Sequence, residues 1–131
     1  MTDVPDRVPA RPRVLVVEDH ALFRAALSRF LRLKGCGVEA AADGAEGLER
    51  LAGDHFDVVV SDVQMPRLDG PAFYERAVAL HPYLRRRFVF CSAMPPPLSL
   101  MANPAVRFYS KSLELSDLWV TLNEMLGEQQ P

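Results

Sequence analysis

The sequence has few cysteines, no long apolar run and no strong excess of charge. Its two cysteines, Cys36 and Cys91, are far apart and outside any spacing typical of a metal site. No apolar run approaches the roughly 20 residues needed to cross a bilayer. A formal net charge of −2 gives no reason to expect direct nucleic-acid binding. These absences favour a reduced, cytoplasmic location without membrane insertion, and 131 residues suit one domain.

The two ends of the chain differ in composition from its middle. Residues 1–12 carry three prolines and mixed charge without an apolar core, which excludes a signal peptide and predicts a flexible N-terminal tail. Residues 13–126 are predicted to form the domain. Residues 127–131 are predicted to be a C-terminal tail or the start of a linker.

Short apolar runs alternate with helical patterns through the domain. Strands are predicted at residues 13–17, 38–42, 88–91 and 106–109, and in the apolar run that opens residues 56–70 and ends at Asp62. Helices are predicted at residues 22–31, 45–52, 71–80 and 115–126. This alternation predicts an α/β protein with a doubly wound five-stranded parallel sheet of the flavodoxin-like strand order 2-1-3-4-5.

Residues 94–104 interrupt this regular pattern. Pro95, Pro96 and Pro97 are consecutive, and Pro104 closes the stretch. Consecutive prolines donate no backbone hydrogen bonds and favour an extended conformation. At most one helical turn fits, around residues 98–102, so the fourth helix is predicted to be shortened or irregular.

Polar side chains follow four of the predicted strands. Glu18 and Asp19 come directly after the first strand, and Asp62, Ser92 and Lys111 stand at the ends of the third, fourth and fifth. In the predicted strand order these ends surround the switch point, where open α/β sheets bind ligands. We therefore expect the five side chains to converge.

The chemistry of this group points to phosphoryl transfer. Three carboxylates in one place repel one another, and a hard divalent cation such as Mg²⁺ relieves that repulsion. Asp62 is then a candidate nucleophile, because carboxylates form acyl phosphates. Lys111 and the metal would neutralise the phosphoryl oxygens, and the Ser92 hydroxyl would donate to one of them.

At these positions the chain resembles the receiver domain of two-component response regulators. The matching motifs are Val-Val-Glu-Asp ending at Asp19, Asp-Val-Gln-Met-Pro-Arg-Leu-Asp-Gly starting at Asp62, Ser92-Ala93 and Lys111. The resemblance implies a signalling domain rather than an enzyme, one that supports its own phosphoryl transfer and dephosphorylation. It implies that Asp62 accepts the group from a phosphohistidine on a sensor histidine kinase or histidine phosphotransfer protein, which switches partner interactions.

The resemblance also assigns roles to single residues. It implies that Glu18, Asp19 and Asp62, with the backbone carbonyl of Gln64, hold Mg²⁺. Ser92 matches the switch hydroxyl. Phe108 matches the switch aromatic but has no hydroxyl, so any switching there is a change of packing. Gln64 and Met94 fall at two variable positions that tune loss of the phosphoryl group, and Gln64 is the polar one of the pair.

Two departures from the family pattern lie near the fourth and fifth strands. Ser112 stands where the family usually has proline, so the Lys111–Ser112 bond is predicted to be trans. The spacing from Ser92 to Lys111 is also about one helical turn short, and the prolines oppose the helix that normally belongs to the output and dimerisation surface. Two interpretations stay open for Leu98, Leu100 and Met101, which would form a partner-binding patch or simply cover the sheet.

Two other functions are alternatives to signalling. A non-switching receiver-like adaptor with a remodelled output face is the main alternative. An aspartyl phosphatase is disfavoured because Gln64, not a second acid, follows two residues after Asp62. The resemblance fits a free-standing receiver or one domain of a longer regulator or hybrid kinase. The last helix is a second possible partner surface.

Three smaller features receive structural interpretations. His20 is predicted to be a solvated residue at a helix start, and the basic run of residues 85–87 a solvated loop. Asp69 and Gly70 are predicted to shape the loop before the third helix.

Overall fold

The computed structural model describes residues 11–127, and a five-stranded parallel sheet lies at their centre. The strands are β1 (Arg13–Val17), β2 (Gly37–Ala41), β3 (Val58–Asp62), β4 (Phe88–Ser92) and β5 (Arg107–Ser110). Their order is β2-β1-β3-β4-β5. The predicted fold class and strand order are confirmed. The tails predicted over residues 1–12 and 127–131 fall almost wholly outside the described residues.

Helices cover both faces of the sheet. They are α1 (Ala21–Leu33), α2 (Gly44–Gly53), α3 (Gly70–Leu80), a 3-10 turn (Pro82–Arg86), α4 (Leu98–Met101) and α5 (Leu115–Leu126). In the part of the chain that the structure describes, no helix is long and apolar enough to span a membrane.

Side chains that alternate along the strands build two cores. Val16, Val60 and Val89 point to one face, where they pack with apolar residues of α1 and α5. Leu15 and Val59 point to the other face, among residues of α2, α3 and α4. Successive residues of a strand point to opposite faces of the sheet, and here helices cover both faces. Nearly every residue of the central strands is therefore buried, which explains the continuous apolar runs in the sequence.

Polar side chains set the starts of three helices. His20 accepts a hydrogen bond from the Phe23 amide through Nδ1 at 3.3 Å and caps α1. Asp43 caps α2 by accepting from Glu46 N at 2.9 Å, and Asp69 caps α3 by accepting from Ala72 N at 3.0 Å. Each cap satisfies an amide that has no partner inside its helix. The predictions for His20 and Asp69 are confirmed.

The prediction of a solvated basic run at residues 85–87 holds for Arg85 and Arg86 but is wrong for Arg87. Arg85 and Arg86 end the 3-10 turn and are exposed, but Arg87 is buried. Its Nη1 donates to the Met125 carbonyl at 2.8 Å. The unpaired carbonyls at the end of α5 therefore bring this guanidinium into the protein, which a basic run in a sequence does not reveal.

The segment between β4 and β5 is short, as predicted. We call residues 94–104 the β4–β5 segment; α4 forms a single turn within it. Leu100 is 5% exposed and joins the core, whereas Leu98 is 82% and Met101 52% exposed. The interpretation that these residues cover the sheet is therefore correct for Leu100 alone. No peptide bond between residues 11 and 127 is cis, so the Lys111–Ser112 bond is trans as predicted.

Candidate functional site: an acidic pocket at the carboxyl edge

Glu18 is held firmly at the end of β1. Its amide donates to the Ala41 carbonyl at 3.0 Å, and its own carbonyl accepts from Arg24 Nη1 at 2.8 Å. The carboxylate Oε2 accepts from the His20 amide at 2.9 Å, and the residue is 2% exposed. Main-chain and side-chain contacts together fix a buried carboxylate at this edge.

Asp62 ends β3 beside Glu18 and Asp19. Its Oδ1 accepts from the Val63 amide at 2.8 Å. One carboxylate oxygen from each of the three acidic residues lies within 4.8 Å of the others, so the structure brings together the acids that the sequence predicted to converge. Three oxygen ligands at this spacing, one of them exposed, suit a hard divalent cation that keeps some of its waters.

Lys111 brings a positive charge to the same place. Its Nζ lies 2.8 Å from Glu18 Oε1 and 3.4 Å from Asp62 Oδ2, and its side chain is 19% exposed. The Lys111 amide donates to the Ser92 carbonyl at 2.9 Å, which holds the residue just beyond β5. Burial disfavours the ammonium, but the Glu18 and Asp62 carboxylates outweigh it and raise the pKa of Lys111.

One lysine does not balance the acidic charge. Burial first and the Glu18 carboxylate second raise the pKa of Asp62 to about 6, although Lys111 acts in the opposite direction. The positive charge of Lys111 therefore compensates only part of the cost of ionising Asp62 in this pocket. The pocket therefore still favours an additional cation near Asp62.

The loop after β3 returns very close to Asp62. The Gly70 amide donates to the Val63 carbonyl at 2.8 Å, and a Cβ at Gly70 would lie 2.7 Å from the Asp62 carbonyl oxygen. No larger residue fits there without a backbone shift, which supports the predicted role of Gly70 in shaping the loop. Within the loop, Arg67 has a φ of 68° and forms an ion pair with Asp43 that ties the loop to the start of α2.

The two predicted switch residues lie on neighbouring strands: Ser92 is the last residue of β4, and Phe108 is on β5. The Ser92 hydroxyl donates to the Met94 carbonyl and accepts from the Met94 amide at 3.2 Å. Phe108 is 36% exposed, and its ring stacks on Phe90 with centroids 6.2 Å apart. Gln64 is exposed in the loop after Asp62. The hydroxyl of Ser92 is thus engaged with the β4–β5 segment.

Sequence reasoning missed three residues around the pocket. Phe23 lies under the Lys111 ammonium, Arg24 holds the Glu18 carbonyl, and Arg67 anchors the loop after Asp62. From the sequence, Phe23 is only one residue of the helix predicted at residues 22–31. No sequence pattern links it to a lysine beyond the fifth strand, because that contact depends on the packing of α1 against the sheet.

Known proteins share the sequence pattern of this chain. A family model described as the response regulator receiver domain matches residues 14–122. The sensor kinase CckA of Brucella abortus is 36% identical over 121 residues, which cover 88% of this chain and 13% of that kinase. The chain spans a quarter or less of the length of the first curated relatives that it matches.

Solved structures share the fold. The receiver domain of the hybrid histidine kinase CckA is 29% identical with a TM-score of 0.74, covering 87% of this chain and 98% of that one. The response regulator TrrA from Thermotoga maritima, solved in complex with Mg²⁺-BeF, is 22% identical with a TM-score of 0.78 over the same shares of both chains. At that identity the second likeness shows the fold alone.

Proposed function

Since the chain belongs to the family of response regulator receiver domains, we propose that its Asp62 accepts a phosphoryl group in a Mg²⁺-dependent phosphorelay. The donor is the phosphohistidine of a sensor histidine kinase or a histidine phosphotransfer protein. The observation that carries the proposal is the meeting of Glu18, Asp19 and Asp62 within 4.8 Å, with Lys111 Nζ 3.4 Å from Asp62 Oδ2.

The reaction is a direct transfer between two side chains. A carboxylate oxygen of Asp62 attacks phosphorus, the N–P bond of the phosphohistidine breaks, and the imidazole leaves with the bonding electron pair and takes up a proton. The ammonium of Lys111 neutralises charge on the transferring oxygens. A pocket that holds these groups in place before the reaction pays little for reorganisation during it.

The donor set also fits the metal. Glu18, Asp19 and Asp62, with the backbone carbonyl of Gln64, would hold Mg²⁺, which supplies charge neutralisation on the phosphoryl oxygens when bound. The raised pKa of Asp62 supports this assignment, because it reflects burial and repulsion from Glu18 that an added cation relieves. The exposed side chain of Gln64 is the candidate for orienting water when the acyl phosphate is hydrolysed.

Phosphorylation is proposed to act on the β4–β5 segment through Ser92. Its hydroxyl donates its one proton to the Met94 carbonyl, so donation to a phosphoryl oxygen would require that bond to break. Phe108 would then respond by repacking against Phe90. The output surface is proposed to include this segment and α5, with a partner or an output domain as the receiver of the signal.

A second candidate function rests on the same segment. Because α4 is one turn long and leaves Leu98 and Met101 exposed, the chain would serve as an adaptor that binds a partner without switching. Both candidates place the protein in the cytoplasm and assign it no direct contact with nucleic acid. They differ in whether a change at Asp62 reaches the β4–β5 segment.

The test is incubation with Mg²⁺ and acetyl phosphate, read by intact mass and by amide NMR. We expect one added phosphoryl group in the wild type and none in Asp62→Asn. Asp57→Asn is the matched control, because Asp57 lies just before the opposite end of the same strand, and it should still be modified. An unmodified wild type would refute the phosphorelay proposal. Modification without amide shifts in the β4–β5 segment would favour the adaptor.

A further inference from the structure

The ammonium of Lys111 has an aromatic neighbour as well as two carboxylates. Nζ lies 4.8 Å from the centroid of the Phe23 ring. A cation within about 6 Å of a ring centroid is attracted by the negative face of the ring, more strongly where water is scarce. The Lys111 side chain is 19% exposed, so much of its surface is already shielded from water.

Phe23 is itself fixed in place. It lies in the first turn of α1, where its amide donates to Nδ1 of the capping His20 at 3.3 Å. Its ring packs at the edge of the core between α1, α5 and the sheet. The next residue, Arg24, donates to the Glu18 carbonyl, so one turn of helix joins the ring to the acidic pocket.

The two carboxylates that contact Lys111 also have other proposed roles. Glu18 and Asp62 are also the proposed metal ligands, and Asp62 is the proposed phosphoryl acceptor. A lysine held by these oxygens alone would lose partners whenever they engage another group. The face of a phenyl ring attracts an ammonium but neither ligates Mg²⁺ nor accepts a phosphoryl group.

We propose that Phe23 is a positioning residue that keeps the Lys111 ammonium over Asp62 when the surrounding oxygens are engaged elsewhere. The inference rests on the phosphoryl transfer proposed above for its functional consequence. Lysine has a flexible four-carbon stem, and holding it in one place before the reaction avoids an entropic cost during it. The contact itself exists whether or not transfer occurs.

An NMR experiment tests the contact without phosphorylation. In the Mg²⁺-loaded wild type we expect an upfield ring-current shift of the Lys111 ε-methylene protons and restricted motion of its ammonium. Phe23→Tyr should keep both signals and Phe23→Leu should lose both. An ammonium equally restricted in Phe23→Leu would overturn the inference.

A kinetic experiment tests the consequence. Phosphorylation by acetyl phosphate at saturating Mg²⁺ should slow by about threefold to tenfold in Phe23→Leu and stay within about twofold in Phe23→Tyr. Replacing Phe23 with pentafluorophenylalanine keeps the shape of the ring but reverses its electrostatic face. That variant should be as slow as Phe23→Leu, and thermal unfolding should establish that it remains folded.

The possible outcomes are distinct. A pentafluorophenylalanine variant that reacts at the wild-type rate would reduce Phe23 to a packing residue and contradict the proposal. A wild type that takes up no phosphoryl group would refute the proposed function instead. In that case the NMR experiment still decides whether the ring holds Lys111.

Discussion

The acidic pocket and the β4–β5 segment share one edge of the sheet, but they are held in place by different means. In the pocket, Glu18, Asp62 and Lys111 lie at the ends of three different strands and are fixed by main-chain hydrogen bonds and by each other. In the segment, residues 95–97 are prolines without backbone donors. Among residues 94–104, only Leu100 belongs to the core that α2 and α3 cover. The pocket is therefore overdetermined, whereas the segment depends on very few contacts.

This difference in how the two regions are held fits the proposed division between a reactive site and an output surface. Groups that must meet at fixed distances are placed on the ends of rigid strands, where topology alone brings them together. A surface that changes its contacts belongs among weakly held elements, because little free energy is needed to shift it. Ser92 lies between the two regions and bonds to Met94.

The largest effect that tests this comparison is expected at Leu100. Leu100→Ala should lower the free energy of unfolding by about 3 kcal/mol, since it empties a buried site under a one-turn helix. Leu98→Ala, in the same turn but 82% exposed, is the matched control and should cost under about 0.5 kcal/mol. Urea unfolding followed by circular dichroism measures both. Equal costs would mean that α4 is not anchored through Leu100.

Much of the pocket could be predicted from the sequence. Buried parallel strands are visible as apolar runs, and a polar residue stands at the end of several of them. The meeting of Glu18, Asp62 and Lys111 needed only the strand order. The short α4 followed from proline chemistry. Side chains that reach across elements were missed: Arg87 bonds to the end of α5, and Phe23 lies under Lys111. Such contacts depend on helix packing, which has no local signature.

A smaller effect is expected from the charge of the pocket. The pKa of Asp62 is about 6 in the folded protein against a usual 3.8, so the folded state retains a proton that the unfolded chain releases between these pH values. This contribution to stability is present below about pH 4 and is lost as the pH rises through 6. Asp62→Asn should therefore raise the free energy of unfolding by about 2 kcal/mol at pH 7.5 without metal, and by little at pH 4.

Metal addition sharpens the same measurement. Mg²⁺ should stabilise the wild type at pH 7.5 and stabilise Asp62→Asn much less, because the variant lacks one charged ligand. Chemical unfolding at both pH values, with and without Mg²⁺, gives four free energies of unfolding for each protein. A variant with the same stability as the wild type at pH 7.5 would show that Asp62 is not under electrostatic strain in the pocket.

The smallest effect on stability, and the most direct test of the link between the two regions, is expected at Ser92. Ser92→Ala removes a half-buried hydroxyl that bonds to the Met94 backbone, which should cost about 0.5 to 1 kcal/mol. Ser110→Ala is the matched control: Ser110 pairs with Ser92 across β4 and β5, but its hydroxyl contacts Ser112 at 2.7 Å instead. Both variants should still react with acetyl phosphate at Asp62.

The variants should differ in which amide NMR signals shift when Asp62 is phosphorylated. On phosphorylation, the wild type and Ser110→Ala should shift amide signals in the pocket and in the β4–β5 segment, whereas Ser92→Ala should shift those of the pocket alone. The physical reason is that Ser92 carries the described side-chain hydrogen bonds between the end of β4 and Met94. Segment shifts that persist in Ser92→Ala would mean that the signal leaves the pocket by another route, with the Phe108 ring stacked on Phe90 as the next candidate.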